Sequence, residues 1–375
     1  MESRKSSTLY GKIEQELETK INNKDLKGGD KVPTETELME QFSVSRMTAR
    51  KALDMLVNKK LIERFPGRGS FVLSNDKPKT INHKNDKVLT IGAIFPKLAP
   101  SFGTEILSSL SNIADEQNVN FLYTETRNNS FEDESRAIQR MRQYADGLIV
   151  WPIPGRVIGT EILKLIVDEY PVVLLDRYIQ DVNASYIVTN NQEATKKALE
   201  HLVQLGHQHI CIVPKQNIAD TSIQDRVLYA KSFLNSLPKS STSVLYTHGI
   251  NYGNVQEIQS EKKSLKEKVV NLLKKNPDIT AFFVTEYYPA TILYQILTEL
   301  GYQIPRDFSI VCYDSPTFYN ESVVRFTHIQ QNEEKIAQDA FEMLNGLIKK
   351  RSNSVQKLET ASLIIGDTTG KPRNN

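Results

Sequence analysis

Pro33-Thr-Glu-Thr-Glu-Leu-Met-Glu-Gln-Phe42-Ser-Val-Ser45-Arg-Met-Thr-Ala-Arg50-Lys-Ala-Leu-Asp-Met-Leu-Val57 decides the fold at the start of this chain. Thr34 stands where a helix N-cap is wanted, and Glu37 follows three residues later in capping-box register. The helix they start is predicted to run to about Phe42. Ser43-Val44-Ser45 then forms a turn. The next helix turns Ala49, Ala52, Leu53, Leu56 and Val57 inward and leaves Arg46, Met47 and Arg50 on the opposite face. Working outward, Leu9, Ile13, Leu17 and Ile21 recur every four residues, giving a first helix that ends at the Gly28-Gly29 break. Downstream, Leu61 to Phe65 and Ser70 to Leu73 pair as a hairpin around Pro66-Gly67-Arg68-Gly69, whose glycines permit a tight basic tip. The pattern is a helix-turn-helix followed by a wing.

The charges of this segment suit a polyanion. Residues 1–75 hold 14 Lys or Arg against 11 Asp or Glu, and residues 46–68 hold seven against two. Arg46 and Arg50, one turn apart, face the way that base edges of a major groove require. Ser45 and Thr48 sit at the helix N-terminus, where an anion is favoured, and can donate to phosphates. Lys51, Lys59 and Lys60 add attraction blind to sequence, and Arg68 on the wing is placed for a neighbouring minor groove. A solvated basic face, with its arginines in surface ion pairs, is the alternative.

Beyond residue 74 the composition changes. Residues 75–87 are polar or charged apart from Ile81, with Pro78 among them, and read as a linker. Strand and helix patterns then alternate. Val88 to Phe95, Val119 to Thr124, Asp146 to Trp151 and Pro171 to Leu175 are buried-strand candidates. His209 to Val213, Ser243 to Tyr246, Thr280 to Val284 and Phe308 to Tyr313 repeat the theme. The predicted fold is therefore α/β: an N-terminal winged helix-turn-helix at 1–74, the linker at 75–87, and at 88–366 a two-lobed domain of two doubly wound parallel sheets. A flexible tail at 367–375 completes the chain. A cleft at the carboxyl ends of the strands of two such lobes is a small-molecule site.

These residues carry two resemblances. Lys31-Val-Pro-Thr-Glu-Thr-Glu-Leu38, Phe42-Ser-Val-Ser-Arg-Met-Thr-Ala-Arg-Lys-Ala-Leu53 and Gly67-Arg-Gly-Ser-Phe-Val72 together resemble the winged-helix domain of GntR-type bacterial regulators. That resemblance implies DNA contact through Glu37, through Ser45, Arg46, Met47, Thr48 and Arg50, and through Gly67 and Arg68. Many members have Arg where Thr36 stands, so one family contact is weakened or absent. Ala145-Asp-Gly-Leu-Ile-Val150, Pro171-Val-Val-Leu-Leu-Asp-Arg177, His201-Leu-Val-Gln-Leu-Gly-His-Gln-His-Ile210 and Pro305-Arg-Asp-Phe-Ser-Ile-Val-Cys-Tyr-Asp314 resemble the LacI-type effector domain, related in fold to periplasmic sugar-binding proteins. The combination is similar to the bacterial arabinose repressors and implies a monosaccharide effector, with a pentose as first guess.

A sugar needs carboxylates, amides and an arginine fork for its hydroxyls and an aromatic face to stack on. The resemblance supplies Asp176 after the fourth strand of the body, Arg226 at the start of an Arg-x-x-Tyr helix, Asp314 after Ile-Val-Cys-Tyr, and Gln331 in a crossover between lobes. Ser101 and Phe102 lie in the turn after the body's first strand. Where the family has Asn-Asp after Ala281-Phe-Phe-Val-Thr285, this chain has Glu286-Tyr287. Glu286 can accept sugar hydroxyls, whereas Tyr287 removes an expected carboxylate.

Other classes fit less well. The longest apolar runs fall far short of the roughly 20 residues a membrane span needs. The N-terminal residues do not read as a secretory signal, so a cytoplasmic location is expected. Cys211 and Cys312 lie in separate apolar runs and read as buried thiols. No nucleophile elbow, phosphate loop or dinucleotide fingerprint is present, so no catalytic residues and no cofactor are expected. His201, His207 and His209 diverge between a helix end and the next strand, which argues against a metal. The expected partners are palindromic double-stranded operator DNA, a monosaccharide effector and a second copy bound through the lobed domain, with no membrane. The rival binding reading is a DNA-binding module whose lobed body only dimerises or answers to a protein.

Overall fold

The structure is a computed structural model that describes residues 8–65, 69–73, 88–126, 130–154, 159–216, 220–238, 240–248, 255–316, 324–350 and 354–373. The chain divides into two compact units, Met1–Lys87 and Val88–Asn375. Residues 74–87, which contain the proposed linker, lie outside the described residues.

The first unit consists of α1 (Leu9–Asn22), β1 (Lys31–Val32), α2 (Glu35–Phe42), α3 (Arg46–Asn58), β2 (Ile62–Phe65) and β3 (Gly69–Val72). Thr34 and Glu37 form the full capping box, and Ser43, in the left-handed region at φ 51°, ends α2. Ser45 caps α3 by accepting the Thr48 N–H. Ile13, Leu17, Leu38, Ala49, Ala52, Leu53 and Leu56 make one core with Val32, Ile62 and Val72. Leu9, expected on the inward stripe, is instead 59% exposed at the first residue of α1, where Tyr10 rather than Leu9 packs against the core. The small strand β1 was not foreseen. It adds antiparallel to β3, with Lys31 opposite Phe71, and is too short to show a period.

The second unit has two lobes. The first lobe is built on β4 (Thr90–Pro96), α4 (Thr104–Glu116), β5 (Asn120–Thr126), α5 (Phe131–Met141), β6 (Gly147–Val150), α6 (Thr160–Val167), β7 (Val172–Leu175) and β8 (Ser185–Thr189). The chain then crosses into α7 (Asn191–Leu205), β9 (His209–Val213), α8 (Thr221–Ser236), β10 (Ser241–Val244), α9 (Val255–Lys275), β11 (Ala281–Val284), α10 (Tyr287–Glu299), β12 (Ser309–Tyr313) and β13 (Thr327–Gln331). It returns through α11 (Glu333–Ile348) to β14 (Gln356–Glu359), which joins the first lobe, and finishes in β15 (Ala361–Ile364) of the second.

The first sheet, in the order β14-β8-β7-β6-β4-β5, is parallel throughout. The second, in the order β10-β9-β11-β12-β13-β15, is parallel except that β15 runs against β13. The two parallel-sheet lobes are as expected, with one antiparallel edge strand: β15 follows β14 after a single residue, Thr360, and no crossover helix intervenes to return it in the parallel sense. Unbroken apolar runs such as Gly147–Val150 and Ala281–Val284 are buried because each sheet has a core on both faces. The tenth strand lies two residues before its expected place.

The flexible tail is also corrected. Thr368 is fully buried, donates to Ile310 O at 2.7 Å and accepts the Thr327 N–H at 2.9 Å. Asp367 pairs with Arg325, and Gly370 O lies 3.0 Å from His207 Nε2. Polar composition suggested mobility, but these groups satisfy the backbone at the N-terminal ends of β12 and β13 in the second sheet.

Candidate functional site

On the first unit, Ser45, Arg46, Met47, Thr48 and Arg50 share the N-terminal part of α3, away from the core residues of the same helix. Met47 is 80% exposed and Arg50 is exposed. Arg46 is exposed too, yet its Nε lies 2.9 Å from Glu35 Oε2 at the start of α2. Arg64 on β2 pairs with Asp54 at 3.0 Å and donates to the Arg50 carbonyl, which ties the wing strand to α3. Ser45 Oγ and Thr48 Oγ1 lie 2.9 Å apart. Glu37 is occupied in the cap. The Thr34 backbone N–H donates to it at 2.7 Å and, with the Thr34 hydroxyl, holds its carboxyl below the usual carboxylate range. Gly67 and Arg68 lie outside the described residues.

Two of the lysines expected to add free positive charge are already engaged. Lys59 bridges to Glu14 and Glu18 on α1, whose carboxylates raise its pKa, and Lys51 sits 4.1 Å over the Tyr10 ring. Sequence reading missed them because the partners lie about 40 residues away on another helix.

In the second unit the strands of both lobes end at a common place. Asp176 follows β7 and Asp314 follows β12; both take a left-handed turn, with φ 60° and 61°. Asp314 is 7% exposed, and the Gln331 amide, at the end of β13, donates to both its oxygens at 2.9 and 3.1 Å. Gln331 accepts in turn from Thr189 at the end of β8. Arg226 is 4% exposed. Its Nε donates to Asn191 Oδ1 at 2.9 Å and its Nη1 to Thr285 O at 2.8 Å, while its guanidinium lies 3.7 Å from the Tyr313 ring centre. It stands in the second turn of α8, not at its start, because Asp220 caps that helix and Thr221 begins it.

The lobes touch through the loop after β7. Arg177 donates its Nε to Asp220 Oδ2 at 2.8 Å and an Nη to Pro152 O. Ser222 Oγ donates to Asp176 O, and the Tyr178 hydroxyl reaches Asp225 at 3.2 Å. Burial drives the titrations. It pushes Asp176 up to about 6 and Asp314 up to about 7, against the pull of Arg177 and Arg226. Asp220 is half-buried, and Arg177 and Arg226 hold it below the usual range against its desolvation.

The remaining expected residues divide. Glu286 stands before α10 and acts on Arg177 by its charge. Tyr287 packs edge-on against Tyr288 and Phe326, on the core side of the second lobe. Ser101 is buried, and Phe102 packs 5.3 Å from Trp151. A Cβ on Gly103 would meet the Trp151 ring at 2.7 Å, so this turn approaches the indole only because residue 103 is glycine. Trp151, Arg177, Asn191, Asp220 and Thr285 belong to the same cluster and were missed. Trp151, Thr189 and Thr285 directly follow or end strands, so the rule that ligands meet strand carboxyl ends would have found them. The three histidines take separate partners: His201 contacts Thr369, His207 contacts Thr280 and Ser309, and His209 contacts Ser241.

A winged helix joined to two parallel-sheet lobes is the architecture of a DNA-binding type of regulator. Residues 9–72 match the bacterial regulatory proteins of the gntR family, and residues 199–369 match the periplasmic binding protein-like domain. The chain is 25% identical over 353 residues to an arabinose metabolism transcriptional repressor of Geobacillus stearothermophilus, covering 93% of this chain and 94% of that protein. It is also 25% identical to a probable HTH-type transcriptional regulator, EndR, of Paenibacillus polymyxa, covering 89% and 95%. A dimeric Lac repressor with an 11-residue C-terminal deletion superimposes with a TM-score of 0.63 at 20% identity, covering 76% of this chain and all of that one. Its head thus matches that of the gntR-family regulatory proteins and its body the periplasmic binding protein-like domain. No helix among the described residues is long and apolar enough to cross a membrane.

Proposed function

We propose that this regulator is a cytoplasmic, homodimeric repressor whose hold on a palindromic operator is controlled by a small sugar, arabinose or a related monosaccharide, bound between its lobes. The observation that carries the reading is the convergence of Asp176, Arg226, Asp314 and Gln331 at strand carboxyl ends, drawn from both lobes. On the DNA side, Arg46 and Arg50 read base edges, Ser45 and Thr48 contact phosphate, Met47 packs on the groove, and Gly67 and Arg68 serve the wing. Glu37 supports them by capping α2. Two copies pairing through their lobed domains match the two-fold symmetry of a palindrome.

A thermal-shift screen of pentoses and hexoses, followed by operator binding with each hit, tests the reading. A ligand that binds only the folded state raises stability by RT ln(1 + [L]/Kd). One sugar is expected to stabilise the protein and weaken operator binding. Arg46→Ala is expected to lose about 1 to 3 kcal/mol of operator discrimination and keep the sugar response. A footprint unchanged by Arg46→Ala would sink the recognition-helix assignment. The packing of Tyr287 toward the core favours a second reading, a regulator answering to a non-sugar or protein effector. That reading expects no shift with any sugar.

A further inference from the structure

The charges around the cleft floor discriminate among sugars. Four carboxyl groups meet there: Asp176, Asp220, Asp314 and, through its action on Arg177, Glu286. Asp225 stands behind Asp220 on α8, and Glu333 acts on Asp314 from α11. Only Arg177 and Arg226 oppose them among the described residues that act most strongly on Asp176 and Asp314.

Both guanidinium groups are already partly committed to protein acceptors. Arg177 has two nitrogens committed, to Asp220 and to the Pro152 carbonyl, and Arg226 has two committed, to Asn191 and to the Thr285 carbonyl. The face of Arg226 is covered by Tyr313. A phosphate or carboxylate typically takes a paired two-nitrogen edge of arginine, and here each such edge includes a nitrogen that already donates to a protein acceptor, which an oxoanion would have to share or displace. It would also enter a poorly screened region that, among the described residues acting most strongly on Asp176 and Asp314, holds more carboxyl groups than cations.

Acceptors, in contrast, are in surplus. Asp176 has Arg177 Nε at 3.9 Å and the Trp151 indole N–H nearby, neither at full hydrogen-bonding distance. Asp314 accepts only the one Gln331 amide among the described residues, leaving lone pairs on both oxygens. The Trp151 N–H and the Thr285 hydroxyl are buried with no hydrogen-bond partner among the described residues, and each follows directly on a strand that ends at this cluster. Hydroxyl groups, which donate and accept, complement this set.

We infer that the effector is an uncharged polyhydroxyl compound, held by donation to Asp176 and Asp314, and that the cleft refuses phosphorylated and acidic sugars. The inference rests on the sugar-effector reading and sharpens it.

The test uses the full chain and matched pairs: D-galactose with D-galacturonate, D-glucose with glucose 6-phosphate and gluconate, and L-arabinose with L-arabinonate. Calorimetric titration is expected to find binding by the neutral member of at least one pair, with its anionic partner at least about 30-fold weaker. An anionic member that binds as tightly as its neutral parent overturns the inference and leaves the sugar reading standing. Silence from every pair, with the protein folded by circular dichroism, overturns both. For the responding pair, Asp176→Asn is expected to narrow the neutral-to-anion ratio by about 5-fold or more, because one repelling charge is gone. A ratio that stays fixed while the neutral sugar still binds would mean that charge is not the discriminator, and would also overturn it.

Discussion

Asp314 is the residue whose environment is most sharply defined. Burial holds its carboxyl up near 7, although Arg226 and the Gln331 amide both favour the ionised form. In the unfolded chain the same group titrates near 3.8. Between those values the folded state keeps a proton that the unfolded state releases. Its contribution to stability is therefore full below about 4, lost progressively as pH rises through about 7, and constant above. Asp176, at about 6, has the same sign. Asparagine can still accept from Gln331 and carries no charge to bury. We expect Asp314→Asn to be more stable than the natural protein by about 1 to 3 kcal/mol at pH 8, with the difference shrinking as pH falls toward 5. Urea unfolding followed through Trp151, the single tryptophan of the chain, checks this where it matters, since the indole lies beside Asp176. A difference that is the same at pH 5 and pH 8 would contradict the burial argument.

At the scale of elements, local chemistry was legible and long-range pairing was not. The helix-turn-helix could be read because its signals are close in sequence: Thr34 with Glu37, Ser45 with Thr48, and an apolar face repeating along α3. The apolar central strands could be read for the same reason. The strands of the body that escaped, β8, β13, β14 and β15, lie beside the crossovers between lobes. Thr327-His-Ile-Gln-Gln331 and Gln356-Lys-Leu-Glu359 carry polar side chains, as segments that leave one lobe for the other must, and so lack an apolar run. The engagement of Lys51, Lys59 and Arg46 depends on partners brought near only by folding. The capping box offers a clean test of what Glu37 does. Gln can make the same reciprocal bond, whereas Ala cannot. Glu37→Gln is expected to keep both head stability and operator affinity, and Glu37→Ala to lower the melting temperature of the head. Loss of operator affinity in a stably folded Glu37→Gln protein would instead show that the carboxylate itself meets DNA.

For the whole molecule, the proposed repressor makes a claim about two sites at once. If a sugar in the cleft weakens operator binding by some factor, the operator must weaken sugar binding by that same factor, because both describe one thermodynamic cycle. Couplings of this kind are typically about 1 to 3 kcal/mol, or roughly 5- to 150-fold. The sugar must also distinguish two states of the body, since a ligand with equal affinity for both shifts nothing. The contacts that join the loop after β7 to the start of α8, Arg177 to Asp220 and Tyr178 to Asp225, span the two lobes and are where such states would differ. Titrating the responding sugar against Trp151 fluorescence, with and without saturating operator DNA, measures the reciprocal factor directly. We expect the sugar dissociation constant to rise with operator present by the factor found in the DNA experiment. In Arg46→Ala, under conditions where the operator no longer binds, that rise should vanish while the intrinsic sugar affinity stays the same. A sugar affinity indifferent to bound operator would mean that body and head share a chain without sharing an equilibrium, and the protein would then be a DNA-binding regulator whose cleft serves some other purpose.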